Sequence, residues 1–196
     1  MKIIGLFGGT FDPVHNGHVS ITESFINSGF IDELWVLLTP NPPHKAGNKH
    51  ADYNVRLTML KAAFEGTGVQ ILTIENELPR PSYSYQTIQY FKKQFPDHTF
   101  YYCIGEDSLV NFKTWKHYEK ILDEADLLVA RRPSVEHEAV DKEILKHATF
   151  VNHEPILISS SEIRELVADG KEIDKLVPAQ VRELIIKNHL YNNHGE

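Results

Sequence analysis

At 196 residues, with 20 Lys and Arg against 27 Asp and Glu, the chain carries a formal charge of −7 and is 41% hydrophobic and 24% charged, which excludes a largely disordered chain and suits one domain spanning 1–196. The acidic excess without a basic stripe argues against a nucleic-acid partner, while a small anionic ligand held by a few focused cations stays compatible. A lone cysteine, Cys103, leaves no internal disulfide, no apolar run nears the roughly 18 residues of a membrane span, and the start MKIIGLFGGTFD lacks a signal-peptide core, so a cytoplasmic protein with no membrane partner is expected.

Strand and helix signals alternate along the chain. Lys2 to Phe7 is an apolar run feeding Gly8-Gly9, a strand and a glycine turn. Ile21 and Phe25 recur four apart, and Gly29 marks the end of that helix. Glu33 to Leu38 reads as the next strand, closed by Thr39-Pro40-Asn41-Pro42-Pro43. Leu57, Leu60 and Phe64 form a helical stripe ending near Gly66 and Gly68, and Val69 to Ile74 reads as a strand. After the proline loop Leu78 to Ser82, a helix buries Ile88, Phe91 and Phe95. Thr99 to Ile104 is a β-branched and aromatic strand broken by Gly105.

Ile121, Leu122 and Ala125 mark a helix, and Leu127 to Ala130 a strand. A helix over Ala139 to His147 and short strands at Phe150-Val151 and Pro155 to Ile158 follow. Two helical stripes close the chain: Ile163, Leu166 and Val167 after Ser159-Ser160-Ser161, then Val181, Leu184 and Ile185 after Pro178. Such alternation predicts an α/β fold: a Rossmann-like parallel sheet, helices on both faces, and a small C-terminal helical element. Ligands of such sheets bind beyond the carboxyl ends of the strands, which directs the search to the loops after Phe7, Leu38, Ile104 and Ile158.

The first of these loops holds the strongest signal. Gly8-Gly9-Thr10-Phe11-Asp12-Pro13-Val14-His15-Asn16-Gly17-His18 links a strand to a helix. Glycines there let backbone N–H groups approach an anion, and the helix N-terminus adds positive potential. His15 and His18, three apart, can face one point at that terminus. Without function, the loop would be a glycine turn with Asp12 or Asn16 capping the helix. Neither G-x-x-x-x-G-K-[ST] nor G-x-G-x-x-G occurs, and no third ligand accompanies the histidines, so no protein-held metal is expected.

Gly8 to His18 resembles the nucleotidylyltransferase superfamily, whose HxGH motif reads here His15-Asn16-Gly17-His18. The eleven-residue form resembles the bacterial nicotinate-nucleotide adenylyltransferases. Further matches run in order along nearly the whole chain: Pro42-Pro43-His44-Lys45, Pro81-Ser82-Tyr83, Ile104-Gly105-Glu106-Asp107 with Trp115, Arg132-Pro133, and Ile158-Ser159-Ser160-Ser161-Glu162-Ile163-Arg164. The resemblance implies transfer of AMP from ATP to nicotinate mononucleotide, with magnesium arriving on the ATP phosphates; self-association is left open.

On that resemblance His15, His18, Lys45 and Arg164 serve catalysis, His18 foremost at the α-phosphate. ATP is implied to meet Gly8, Gly9, Thr10, Phe11, His15, His18, Lys45, Gly105, Asp107, Ser160, Ser161 and Arg164. The acceptor nucleotide is implied to meet Thr10, Tyr83, Ser84, Thr87 and Trp115, with Trp115 stacking on its pyridine ring. Locally, one of the serines would cap the helix after Ile158, and Asp107 would cap a short helix after Gly105. Arg56 reads as an ordinary exposed helix residue. The family commonly reads S-Y-T-x-D-T where this chain has Ser82-Tyr83-Ser84-Tyr85-Gln86-Thr87, so Gln86 removes a negative charge and leaves acid-versus-amide preference open. Alternatives are a nicotinamide or dual-specificity enzyme, a phosphopantetheine adenylyltransferase, and a silent nucleotide sensor.

Overall fold

The structure is a computed structural model that describes residues 1–40, 51–131 and 140–192. Its centre is a six-stranded sheet made of β1 (Ile3–Gly9), β2 (Glu33–Leu38), β3 (Gln70–Leu72), β4 (Thr99–Gly105), β5 (Asp126–Ala130) and β6 (Ala148–Val151). The spatial order is β3-β2-β1-β4-β5-β6, and every pairing is parallel. Around it run α1 (Asn16–Ile26), α2 (Tyr53–Ala63), α3 (Ser84–Gln94), α4 (Glu106–Val110), α5 (Tyr118–Glu124), α6 (Lys142–Lys146), α7 (Ser160–Ala168) and α8 (Ala179–Lys187). This is the expected doubly covered α/β architecture.

Strand β2 shows why the apolar runs are continuous. Leu34, Val36 and Leu38 point into a core shared with Phe25 of α1, Leu60 of α2, Ile163 of α7 and Val181 of α8. Trp35 and Leu37 point the opposite way, into a core with Ile88 and Phe91 of α3 and Ile121 of α5. A strand buried on both faces needs apolar residues at every position, so alternation disappears. Among the described residues, no helix is long and apolar enough to cross a membrane.

Four local expectations are revised. β1 continues beyond Phe7 through Gly9, because Gly8 and Gly9 still pair with Leu37 and Leu38. β3 is confined to Gln70–Leu72 at the sheet edge, and Ile74–Asn76 forms a single 3₁₀ turn. The expected helix over 139–147 reduces to α6, where the Asp141 carboxylate accepts the Glu143 N–H; Ala139 lies outside the described residues. The apolar run 155–158 is not a strand. Leu157 is 84% exposed, the Ile158 N–H bonds back to the Ile156 carbonyl, and no ladder partner is present among the described residues. Past β6 the chain turns toward α1 instead, and the Ser160 hydroxyl bonds the Pro13 carbonyl at 2.9 Å.

Sheet order reverses between β1 and β4, so the connections leaving their carboxyl ends diverge and open a crevice. The glycine loop after β1 borders it on one side. The Gly105 end of β4 borders it on the other.

Candidate active site

Helix α1 has an unusual start. His15 is its N-cap in extended backbone, and neither Asp12 nor Asn16 takes that place. The His15 N–H donates to Nδ1 of His18 at 3.2 Å, and the His18 N–H donates to the His15 carbonyl at 2.8 Å. The two rings stack with centroids 3.7 Å apart and planes 25° off parallel. Because Nδ1 of His18 accepts, the ring proton sits on Nε2. His15 is buried, and loss of solvation pushes its pKa down to about 4 against the opposing pull of Glu162. Its Nδ1 has no hydrogen-bond partner among the described residues.

Two glycines make this packing possible. A Cβ on Gly17 would lie 3.1 Å from the His15 ring and 3.3 Å from Ile158. A Cβ on Gly9 would lie 2.7 Å from the Phe11 ring. Phe11 itself adopts φ +48 and is fully buried, its ring edge-on to His18 at 4.9 Å. The loop glycines thus serve close ring packing beside the histidine pair.

The end of the loop is tied to the C-terminal helices. The buried Asp12 carboxylate accepts from the Tyr191 hydroxyl at 2.7 Å and the Ala51 N–H at 3.2 Å. Burial beside Asp12 raises the Tyr191 pKa. Arg164, in the second turn of α7, donates to the Asp12 carbonyl at 2.6 Å and to the Ser161 hydroxyl at 3.1 Å. Those bonds bring Arg164 and Ser161 beside the loop that carries the histidines, and Ser160 joins through Pro13. The cap of α7 is Ser159, in a reciprocal box with Glu162 that occupies the Ser159 N–H.

A cavity of about 410 Å³ opens at the carboxyl ends of β1, β2 and β4. Gly8, Gly9, Thr10, Tyr83, Ser84 and Trp115, all expected at the site, line it together. Trp115 is half-buried against Phe112 and Tyr102, with centroid distances of 5.3 and 5.9 Å. The Ser84 and Tyr102 hydroxyls hydrogen-bond at 2.8 Å, and burial holds the Tyr102 phenol well above its ordinary pKa.

Other expected residues lie elsewhere. Thr87 is wholly buried, and its hydroxyl donates to Glu75 at 2.9 Å, so its side chain braces the wall from behind and does not face the cavity. Asp107 is exposed in the first turn of α4, whose cap is Gly105. Gln86 accepts the Tyr83 N–H at 3.0 Å and thereby closes the start of α3, so the missing acid belongs to a helix cap. Lys45, with His44 and Arg132, lies outside the described residues.

Several wall residues are not among the residues expected at the site: Thr39, Glu75, Ser82, Tyr102, Ser108 and Lys116. Three had a pointer: Ser82 in the matched Pro81-Ser82-Tyr83, Thr39 at the start of the loop after Leu38, and Lys116 directly after Trp115. Arg56 reverses its expectation. It is 2% exposed, and its guanidinium donates to the carbonyls of Thr10, Thr39, Pro40 and Ala51 at 2.8 to 3.0 Å. Burial lowers its pKa while Asp12 opposes that shift.

A sheet switch point with a histidine pair at a helix N-terminus defines a nucleotide-handling α/β protein, and residues 6–166 match the cytidylyltransferase-like family. Curated relatives narrow this. "Probable nicotinate-nucleotide adenylyltransferase" of Clostridium tetani is 33% identical over 97% of this chain and 100% of its own length. The protein of the same name from Exiguobacterium sibiricum is 36% identical over 96% of this chain and 98% of its own. Among solved structures, Plasmodium falciparum nicotinic acid mononucleotide adenylyltransferase complexed with NaAD superposes with a TM-score of 0.81, at 22% identity over 97% of this chain and 98% of that one. The chain belongs to the nicotinate-nucleotide adenylyltransferase family and is a nucleotidyltransferase enzyme.

Proposed function

We propose that the chain, acting as one catalytic domain, transfers AMP from ATP to nicotinate mononucleotide, releasing pyrophosphate and nicotinate adenine dinucleotide in NAD synthesis. A phosphate oxygen of the mononucleotide attacks the α-phosphorus of ATP; that P–O bond forms as the bond to the β-phosphate oxygen breaks, and pyrophosphate leaves with the electron pair. The attacking phosphate has a second pKa of about 6 and is already ionised at pH 7, so the protein need supply no strong base. Its work is in-line placement and neutralisation of charge on the phosphoryl oxygens.

The observation that carries this reading is the bond from the His15 N–H to Nδ1 of His18 at the N-terminus of α1, which leaves Nε2 to carry the ring proton as a donor. His15, neutral at pH 7 because of its burial, stacks beneath it and holds its plane. Arg164 spends two of its five N–H donors on Asp12 and Ser161, and the rest of its charge serves the β- and γ-phosphates. Lys45 keeps the phosphate role that the resemblance gives it. The hydroxyl- and aromatic-lined cavity takes the acceptor, its pyridine ring on Trp115.

Magnesium fits as a passenger of ATP. Among the described residues no group of three or more His, Cys, Asp or Glu could hold a metal ion, so the ion would rest on phosphate oxygens and water. The test is pyrophosphate release with ATP and magnesium, using nicotinate mononucleotide, nicotinamide mononucleotide and phosphopantetheine in parallel. The proposal expects preference for the acid. Release with phosphopantetheine alone, or with no acceptor, would overturn it.

A further inference from the structure

We propose that the ammonium of Lys116 selects the acid form of the mononucleotide, attracting the carboxylate of the nicotinate ring and repelling the nicotinamide ring. The inference rests on the reaction proposed above and extends it to one side chain. Lys116 lines the cavity directly after Trp115, and its Nζ stands 4.4 Å from the centroid of the Tyr83 ring, another part of the wall. Some surface lysines settle on carboxylates, Lys113 on Asp141 at 2.8 Å and Lys146 on Glu143 at 2.7 Å, while Lys92 and Lys120, like Lys116, lie over aromatic rings but line no part of this cavity. Among the described residues Lys116 has no carboxylate partner. A ring face holds an exposed ammonium weakly, so a ligand carboxylate can displace that contact.

The charge of the wall supports the assignment. Among the described residues Lys116 is the one cation lining the cavity, and Glu75 the one acid. Glu75 is buried, accepts from Thr87, and has its pKa raised by burial, which weakens its repulsion of an anionic ligand. The ligand chemistry supplies the rest. The pyridine nitrogen of either mononucleotide is quaternary and positive, and the acid's carboxylate balances it where the amide leaves the ring a net cation. One ammonium near the ring substituent therefore attracts the first and disfavours the second, discriminating from both sides. Lysine suits this because it is a point charge on a flexible stem.

The test uses Lys116→Met and Lys116→Arg in the full chain, with both mononucleotides, ATP and magnesium. Lys116→Met is expected to raise KM for nicotinate mononucleotide about two- to fivefold, the scale of one exposed charge pair. It should leave kcat within about twofold, and KM for the amide unchanged or lower. Lys116→Arg restores the acid preference, and added salt narrows that preference in the parent more than in the Met variant. Equal losses on acid and amide would place Lys116 on their shared phosphate or ribose, and an unchanged ratio would place it outside the site; either overturns the inference. Failure of the parent to use either mononucleotide would overturn the reaction itself, and the inference with it.

Discussion

The backbone N–H of His15 donates to Nδ1 of His18 across 3.2 Å while the two imidazoles stack 3.7 Å apart. One bond caps α1 and fixes the His18 tautomer, so the donor that the proposed reaction uses is oriented before any nucleotide binds. His18→Ala is expected to lower kcat by about 10²–10³, the usual loss for one donor to a developing oxyanion, with smaller changes in KM. It also leaves the His15 N–H without its acceptor, which costs about 1 kcal/mol of stability. Steady-state kinetics and a thermal melt read the two effects separately. Near-normal turnover in the folded variant would remove His18 from the reacting phosphate.

His15 predicts a pH dependence of stability. Its pKa is about 4 in the folded chain against an ordinary 6.5, because burial disfavours the imidazolium. Between those values the unfolded chain binds the extra proton, so stability is whole above pH 6.5, falls as pH drops, and has lost its full share below about pH 4. That share is about 3 kcal/mol. His15→Asn, which puts a good N-cap residue there without a titrating ring, is expected to flatten the profile of urea unfolding midpoints between pH 7 and 4. Parallel profiles for parent and variant would show that His15 is not held neutral.

What was legible in the sequence follows from distance along the chain. β2 and β4 were readable because a doubly covered strand writes its burial into adjacent residues. The loop from Gly8 to His18 was readable because its parts are contiguous. Glu75 was not, since it gains meaning only from Thr87, twelve residues on, and from the cavity beside Thr39. Arg56 was misjudged for the same reason: its four carbonyls come from two other loops, and no local pattern announces them. The run 155–158 failed differently. Its apolar residues suit a strand, but β6 is the last strand of the sheet, and the chain turns toward α1.

Glu75 is a buried acid whose pKa is raised by desolvation, with Thr87 and Thr39 hydrogen bonds partly offsetting it. An acid raised this way contributes no penalty while protonated. As pH rises above its ordinary 4.5 the unfolded chain ionises first, and stability falls until the folded pKa is passed. Glu75→Gln keeps an oxygen acceptor for the Thr87 hydroxyl and removes that titration. The variant is expected to be at least as stable as the parent at pH 7, with the advantage gone at pH 4. Chemical denaturation at both pH values checks this. A variant less stable at pH 7 would mean that the ionised carboxylate is well solvated or paired in the fold.

Arg56 gives the clearest separation of support from selectivity. Its guanidinium joins Thr10 after β1, Thr39 and Pro40 after β2, and Ala51 just before α2. Thr10 and Thr39 line the cavity, so this buried fork sets the spacing of two of its walls. A lysine supplies one ammonium and cannot reproduce a planar fork. Arg56→Lys is expected to cost about 2–4 kcal/mol, because buried carbonyls lose partners that no water easily replaces. Turnover should fall with both mononucleotides in equal proportion, since the fork touches neither Trp115 nor Lys116. Urea unfolding and paired kinetics on acid and amide measure the two parts. A lysine variant as stable as its parent would show that the loops hold their spacing without the fork, and a selective loss on one substrate would move Arg56 from support into recognition.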